Sequence, residues 1–233
     1  MLPIIVLAGG LATRLRPLTE TIPKALVEVR GEPFLAHQLR LLQRNGIRRV
    51  VLSVAYRGEM IQEFAGNGER FGLEIKYIFD GPVYLGTGGA IRQALPLLGH
   101  SFFTIYGDSY LMCDFRAVQQ AMDAGDKEGL MTVLHNEGRW DTSNVEYADG
   151  RILNYDKRRL TPAMRHIDYG LGVFRSSAFA SYEAGKAVDL ATVFQDLLSR
   201  GELAAFEVSE RFYEVGTVEG LRETEKFLEE RRA

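Results

Sequence analysis

The 233-residue chain has one cysteine, Cys113, so no intrachain disulfide can form, and that usage fits a reducing compartment. No apolar stretch approaches the roughly 20 residues of a membrane-spanning helix. The first residues lack a basic n-region, and glycines interrupt the opening apolar run at once, so no secretory leader is read. A cytosolic protein without membrane association is expected. Positive charge is not in surplus: 28 Lys and Arg against 31 Asp and Glu leave a formal net charge of -3, which excludes a global basic footprint for nucleic acid. The four histidines, His37, His100, His135 and His166, lack metal-ligand spacing. A Walker A loop is absent. The dinucleotide fingerprint G-x-G-x-x-G also fails, because Leu11, Ala12 and Thr13 follow Gly10. There is no linker, internal repeat or low-complexity segment.

What remains is an ordinary globular composition, 46% hydrophobic and 25% charged, long enough for one large α/β domain. The first half alternates. Pro3–Leu7, Arg49–Ala55, Leu73–Phe79 and Ser101–Tyr106 read as short buried strands. Helices are expected over Pro33–Asn45, Glu59–Phe64, Gly88–Leu97 and Phe115–Ala124, with Gly46 closing the first. Right-handed crossovers and a mostly parallel sheet follow. The second half is richer in strands: Gly129–His135, Thr142–Tyr147, Ile152–Asp156, Gly170–Arg175 and Ala204–Val208. It adds helices over Leu190–Arg200 and Val218–Arg231. In such sheets ligands bind beyond the carboxyl ends of strands, where Gly9-Gly10 and Gly107-Asp108 fall.

The stretch VLAGGLATRLRPLTETIPKAL, Val6 to Leu26, joins bare backbone to cations. Glycines after a strand let a ligand approach backbone N–H groups, and Arg14, Arg16 and Lys24 suit a polyphosphate. A glycine pair alone would equally be a turn beside solvated basic residues. The whole stretch is more specific. It resembles the LAGG-x-GTRL-x-PLT signature and following P-K-P segment of the sugar-1-phosphate nucleotidyltransferases, with Ala12 and Ala25 departing from that pattern. The resemblance runs the full length, through GTGGA, the strand-end Gly-Asp, GLGVF and a late V-G-T. It implies a Rossmann-like, mostly parallel mixed sheet flanked by helices, of the nucleotide-diphospho-sugar transferase type. One domain, 1–233, is expected, with a nucleotide-binding half over about 1–125 and a sugar-phosphate-binding half over about 126–233.

Site residues follow from that resemblance. Leu7, Ala8, Gly9, Gly10, Ala12 and Thr13 would wrap a nucleoside triphosphate, with Arg14 and Lys24 on its phosphates. Gly86, Thr87, Gly88 and Gly89 would lie along the base, although the same glycines also read as a turn opening a helix. Asp108 matches the family's metal-binding aspartate, and Glu214 stands where a second Asp is usual, so both are Mg²⁺ ligand candidates. As plain sequence, Asp108 is equally a turn or cap residue and Glu214 a solvated glutamate. Lys157 would bind the phosphate of the sugar 1-phosphate, or sit in a solvated turn with Arg158 and Arg159. Asn144, Glu146, Asp168 and Gly170 are candidates near the sugar, with Asp108. Tyr110, Trp140 and Tyr169 either stack on sugar or pack in the core.

The implied reaction is nucleotidyl transfer from a nucleoside triphosphate to a sugar 1-phosphate, with Arg14, Lys24 and Asp108 as its catalytic groups. No Ser-His or Cys-His pair is offered and none is needed. GTGGA resembles heptose- and mannose-1-phosphate guanylyltransferases. GNGERFGL, ALPLLG and GLGVF resemble N-acetylmuramate-1-phosphate uridylyltransferases. GTP is favoured over UTP because GTGGA should lie nearest the base. The rivals are a cytidylyltransferase acting on an alcohol phosphate and a non-catalytic regulatory subunit that senses nucleotide sugar. A monomer or small homo-oligomer is expected.

Overall fold

The computed structural model describes residues 1–10, 13–81 and 84–231. The first half contains β1 (Ile4–Leu7), the hairpin β2 (Glu28–Val29) and β3 (Glu32–Pro33), α1 (Phe34–Arg44), β4 (Arg49–Val54), α2 (Gly58–Ala65) and β5 (Glu74–Phe79). It continues through α3 (Gly86–Leu98), β6 (Ser101–Tyr106), β7 (Ser109–Tyr110) and α4 (Phe115–Asp123). The second half contains β8 (Gly129–His135), β9 (Val145–Ala148), β10 (Arg151–Tyr155), β11 (His166–Arg175), α5 (Leu190–Ser199), β12 (Leu203–Val208), β13 (Tyr213–Glu214) and α6 (Val218–Glu230).

Among the described residues the main sheet has nine strands, in the order β10-β9-β11-β6-β1-β4-β5, with β8 and β12 joined through β11. Neighbours β6, β1, β4 and β5 are parallel, and β8 and β12 run the same way. Only β11 and β10 oppose the common direction, so the sheet is mixed and mostly parallel. This is the expected architecture.

Alternation along β1 serves both faces of the sheet. Ile4 and Val6 point into a core with Leu35, Leu39, Ile61 and Val118 from α1, α2 and α4. Ile5 points into the opposite core, with Ile91 and Ala94 of α3 and Phe194 of α5. Side-chain caps start three helices: Asp114 accepts from Arg116 and Ala117 N–H, Asp189 from Ala191 N–H, and Thr217 from Gly220 N–H. Gly46, at φ +81°, ends α1 as expected.

Several boundaries differ from the sequence reading. Helix α3 begins at Gly86 rather than Gly88, because helical geometry starts within the glycine run. Thr142–Asn144 is loop, and β9 begins only at Val145. Strand β11 begins four residues earlier than Gly170, since His166–Asp168 pair with β8. The two-residue strands β7 and β13 have no legible periodicity, yet they pair antiparallel and bring Glu214 opposite Ser109.

Candidate active site

Backbone ends build the floor of a cleft at the carboxyl edge of β1, β4, β5 and β6. It is lined by Leu7, Ala8, Gly9, Gly10, Ser53, Asp80, Gly107 and Asp108, with Lys24 and Ala25 on one side and Tyr84, Gly86, Thr87 and Ala90 on another. Gly107 is required by close approach, because a Cβ there would lie 2.9 Å from the Ala8 Cα. Its N–H donates to Leu7 O at 2.9 Å, and Ala8 N–H donates to Ser53 O at 2.8 Å, so three strand ends are locked together. Ala12 lies outside the described residues. Thr13 opens a short 3₁₀ turn, Thr13–Leu15, that carries Arg14.

Lys24, at the start of another 3₁₀ turn, places its Nζ 2.7 Å from Asp108 Oδ2. The pair is mostly shielded from solvent. Val215 N–H donates to Asp108 O at 2.9 Å, which ties the strand-end aspartate to the β13 segment. Burial pushes the Glu214 carboxyl above its ordinary range, and the negative charges of Asp108 and Asp141 add to the rise. Arg14 and Lys24 act in the opposite sense. Two carboxylates far apart in sequence therefore share one field with two cations.

The buried amide of Gln38, on the core side of α1, donates from Nε2 to Tyr106 O at 2.8 Å and Ser109 O at 2.7 Å. It clamps the turn that carries Asp108. The sequence signal was available: a polar residue among Leu35, Leu39 and Leu42 on a helical stripe, where burial without a partner would be costly.

A second cavity adjoins the first through Tyr106. It brings together Asp141, Asn144, Lys157, Asp168, Tyr169, Gly170 and Glu214. Lys157 Nζ lies 3.6 Å from Asp168 Oδ2 and donates to Tyr106 OH at 3.4 Å. Burial alone would lower the Lys157 pKa, but Asp168 and Tyr106 outweigh it and the net shift is upward. Asp168 is almost fully buried and accepts from Tyr155 OH and from Gly170 N–H. Asn144 Oδ1 accepts from Asp168 N–H at 3.0 Å. Glu146, on β9 opposite Asn154, lines neither cavity.

The glycine run behaves differently from the expectation. Gly86 and Thr87 line the cleft, but the N–H groups of Gly88 and Gly89 both donate to Val188 O, at 2.8 and 3.1 Å. These two amides are committed to protein and are not free to read a base. The glycines serve packing instead, since a Cβ at Gly89 would lie 2.6 Å from Lys186 O. Thr87 Oγ1 accepts from Leu190 N–H at 2.8 Å and completes the seam.

The aromatic candidates separate. Tyr110 and Tyr169 are core residues, and Tyr169 OH accepts from Met112 N–H at 2.8 Å. Trp140 is 42% exposed, with the Arg211 guanidinium 3.7 Å from its ring centroid. Asp80 was not singled out by sequence, where Asp-Gly after a strand reads as a turn. It is buried in the cleft wall, and its Oδ1 has no hydrogen-bond partner among the described residues. Burial raises its pKa, against a hydrogen bond from Leu85 N–H that lowers it.

Among the described residues no cluster of three or more His, Cys, Asp or Glu is arranged to hold a metal. Asp108 and Glu214 nevertheless suit Mg²⁺ bound together with a triphosphate, since that ion takes one or two carboxylates and completes its shell with phosphate oxygens and water. No helix among the described residues is long and apolar enough to cross a membrane.

Comparison with known proteins agrees with this geometry. The family model described as nucleotidyl transferase matches residues 3–231. The N-acetylmuramate alpha-1-phosphate uridylyltransferase of Neisseria meningitidis serogroup B is 30% identical over 227 residues, covering 95% of this chain and 96% of that protein. The mannose-1-phosphate guanylyltransferase catalytic subunit beta of Drosophila pseudoobscura pseudoobscura is 32% identical over 220 residues, covering 91% of this chain but 58% of that subunit. A Bacillus anthracis structure described as a glucose-1-phosphate thymidylyltransferase superposes with a TM-score of 0.86 at 19% identity, over 97% of this chain and 95% of that one. The resemblance carried by the glycine loop and the strand-end aspartate thus holds along the whole chain, and the protein belongs to the nucleotidyl transferase family.

Proposed function

We propose that this enzyme transfers a guanylyl group from GTP to a sugar 1-phosphate, with heptose- or mannose-1-phosphate favoured as acceptor, and releases pyrophosphate. The observation that carries the choice of base is Asp80. Asp80 lines the cleft wall, and among the described residues its Oδ1 is buried without a hydrogen-bond partner, which a donor on a bound base would satisfy. Guanine offers two adjacent donors, N1–H and the exocyclic N2–H, which a carboxylate accepts as a pair. Uracil offers one N–H between two carbonyls, and those carbonyls would face carboxylate oxygen. Tyr84, 60% exposed at the mouth of the cleft, presents a ring on which a base can stack. The N-acetylmuramate enzyme matched over its whole length favours the second reading, UTP.

In the favoured reading the strand-end backbone of Leu7–Gly10 receives the triphosphate, with Arg14 and Lys24 balancing its charge. Asp108 and Glu214 would hold Mg²⁺, which when bound neutralises charge on the triphosphate. Lys157 binds the phosphate of the sugar 1-phosphate. One oxygen of that phosphate attacks the α-phosphorus in line, a P–O bond forms, and the bond to pyrophosphate breaks. A phosphate dianion is already nucleophilic, so no general base is required. Catalysis is positioning and charge stabilisation.

The test compares kcat/KM for GTP, UTP, CTP, ATP and dTTP by pyrophosphate release, in the wild type and in Asp80→Asn. The wild type should prefer GTP, and Asp80→Asn should reduce GTP use roughly 10- to 100-fold while narrowing the gap to UTP. A wild-type preference for UTP would overturn the guanylyl assignment.

A further inference from the structure

We infer that the second cavity selects sugar 1-phosphates carrying no negative charge beyond the phosphate, and that Asp141 is a specificity-determining residue there; this rests on the sugar-phosphate reading above. Of the lysines and arginines among the described residues, only Lys157 lines the cavity, against three carboxylates, Asp141, Asp168 and Glu214. Lys157 already faces Asp168, and Asp168 is further held by Tyr155 OH and Gly170 N–H. An incoming phosphate can use Lys157. With Asp168 facing Lys157 and Glu214 assigned to Mg²⁺ in the reading above, Asp141 is the wall carboxylate left to accept hydrogen bonds and repel anions, so sugar hydroxyls fit there as donors and a second carboxylate does not.

Asp141 sits on a built loop. The buried Asn136 donates from Nδ2 to Asp141 O at 2.6 Å and to Ser143 Oγ at 3.0 Å, while its Oδ1 accepts from Trp140 N–H. Trp140 lies under Arg211, which also covers Tyr213 and donates to Glu223 Oε2 at 2.6 Å. Arg139 donates to Asn136 O and faces Glu137. The two arginines flanking this loop are therefore committed elsewhere. The Asp141 carboxylate accepts from Thr142 N–H through Oδ1, and none of the ion pairs among the described residues includes it.

Two matched pairs test this: mannose 1-phosphate against mannuronic acid 1-phosphate, and N-acetylglucosamine 1-phosphate against N-acetylmuramic acid 1-phosphate. Each pair differs by a carboxylate-bearing group. Pyrophosphate release is measured with GTP and with UTP, and calorimetry measures binding of each sugar phosphate without turnover. The neutral member should be favoured roughly tenfold or more in each pair. Asp141→Asn, which keeps the loop's backbone bonds, should narrow that ratio several-fold and leave the KM for the triphosphate unchanged. Equal or better use or binding of the acidic members by the wild type, or an unchanged ratio in Asp141→Asn, overturns the inference. Absence of turnover with every pair and triphosphate would instead sink the transfer reading, while calorimetry would still decide the charge selection.

Discussion

At the scale of single residues, the site stores like charge that a ligand would relieve. Glu214 is the clearest case, with its pKa raised first by burial and then by Asp108 and Asp141. A carboxyl whose folded pKa is raised opposes folding once it ionises. Its contribution is intact below its unfolded value and is lost as pH rises through the folded one. Glu214→Gln should therefore raise the melting temperature of the ligand-free protein at pH 7 to 8, in Mg²⁺-free buffer, while activity is lost. The gain should shrink toward zero as pH falls below the ordinary glutamate range, where both side chains are neutral. Differential scanning calorimetry across that range checks it, and a melting-temperature difference independent of pH would show that charge is not the cause. Asp108 was legible because a motif carried it. Asp80 was not, because its role depends on what lies across the sheet edge from it.

At the scale of elements, the start of α3 shows how one motif supports two explanations. The glycines of Gly86–Gly89 suit a loop against a ligand, and equally a helix start against a crossing chain. The crossing chain is present: Val188 O takes two amides, and Lys186 O occupies the space of a Gly89 Cβ. Backbone atoms cannot swing aside as a side-chain tip can. Gly89→Ala should cost about 1–3 kcal/mol, as overpacking does. Gly125→Ala, whose Cβ would meet nothing nearer than 4.0 Å, serves as the control. Urea midpoints for the two variants decide the matter. If Gly89→Ala unfolds like the control, the 186–189 segment yields more easily than its hydrogen bonds suggest.

At the scale of the whole molecule, β11 makes the two halves one structure. It pairs with β6 from the first half along Leu171–Arg175 and with β8 from the second on its other edge. Its Phe174 packs with Phe102 of β6 and Phe194 of α5 in one core. Removing residues 126–233 would expose the β6 edge and strip away most of that core. Urea unfolding followed by far-UV circular dichroism should thus be a single transition, and a fragment of residues 1–125 should show no cooperative transition of its own. Two separated transitions, or a fragment that folds, would mean the halves are independent.

The sequence by itself determined the helices and most strands of the sheet, because apolar period and capping residues are local properties of the chain. It also marked the glycine loop, Lys24, Asp108 and Lys157 as candidates, through their resemblance to the sugar-1-phosphate nucleotidyltransferase motifs rather than through any local period. Tertiary structure alone decided the partnerships. It set Lys24 against Asp108 across a sequence separation of 84 residues, brought Glu214 beside them through two-residue strands, and placed Asp80 and Asp141 in the walls of the two cavities. These are contacts between segments far apart in sequence. Their energy comes from burial and electrostatic fields that exist only once the sheet has closed.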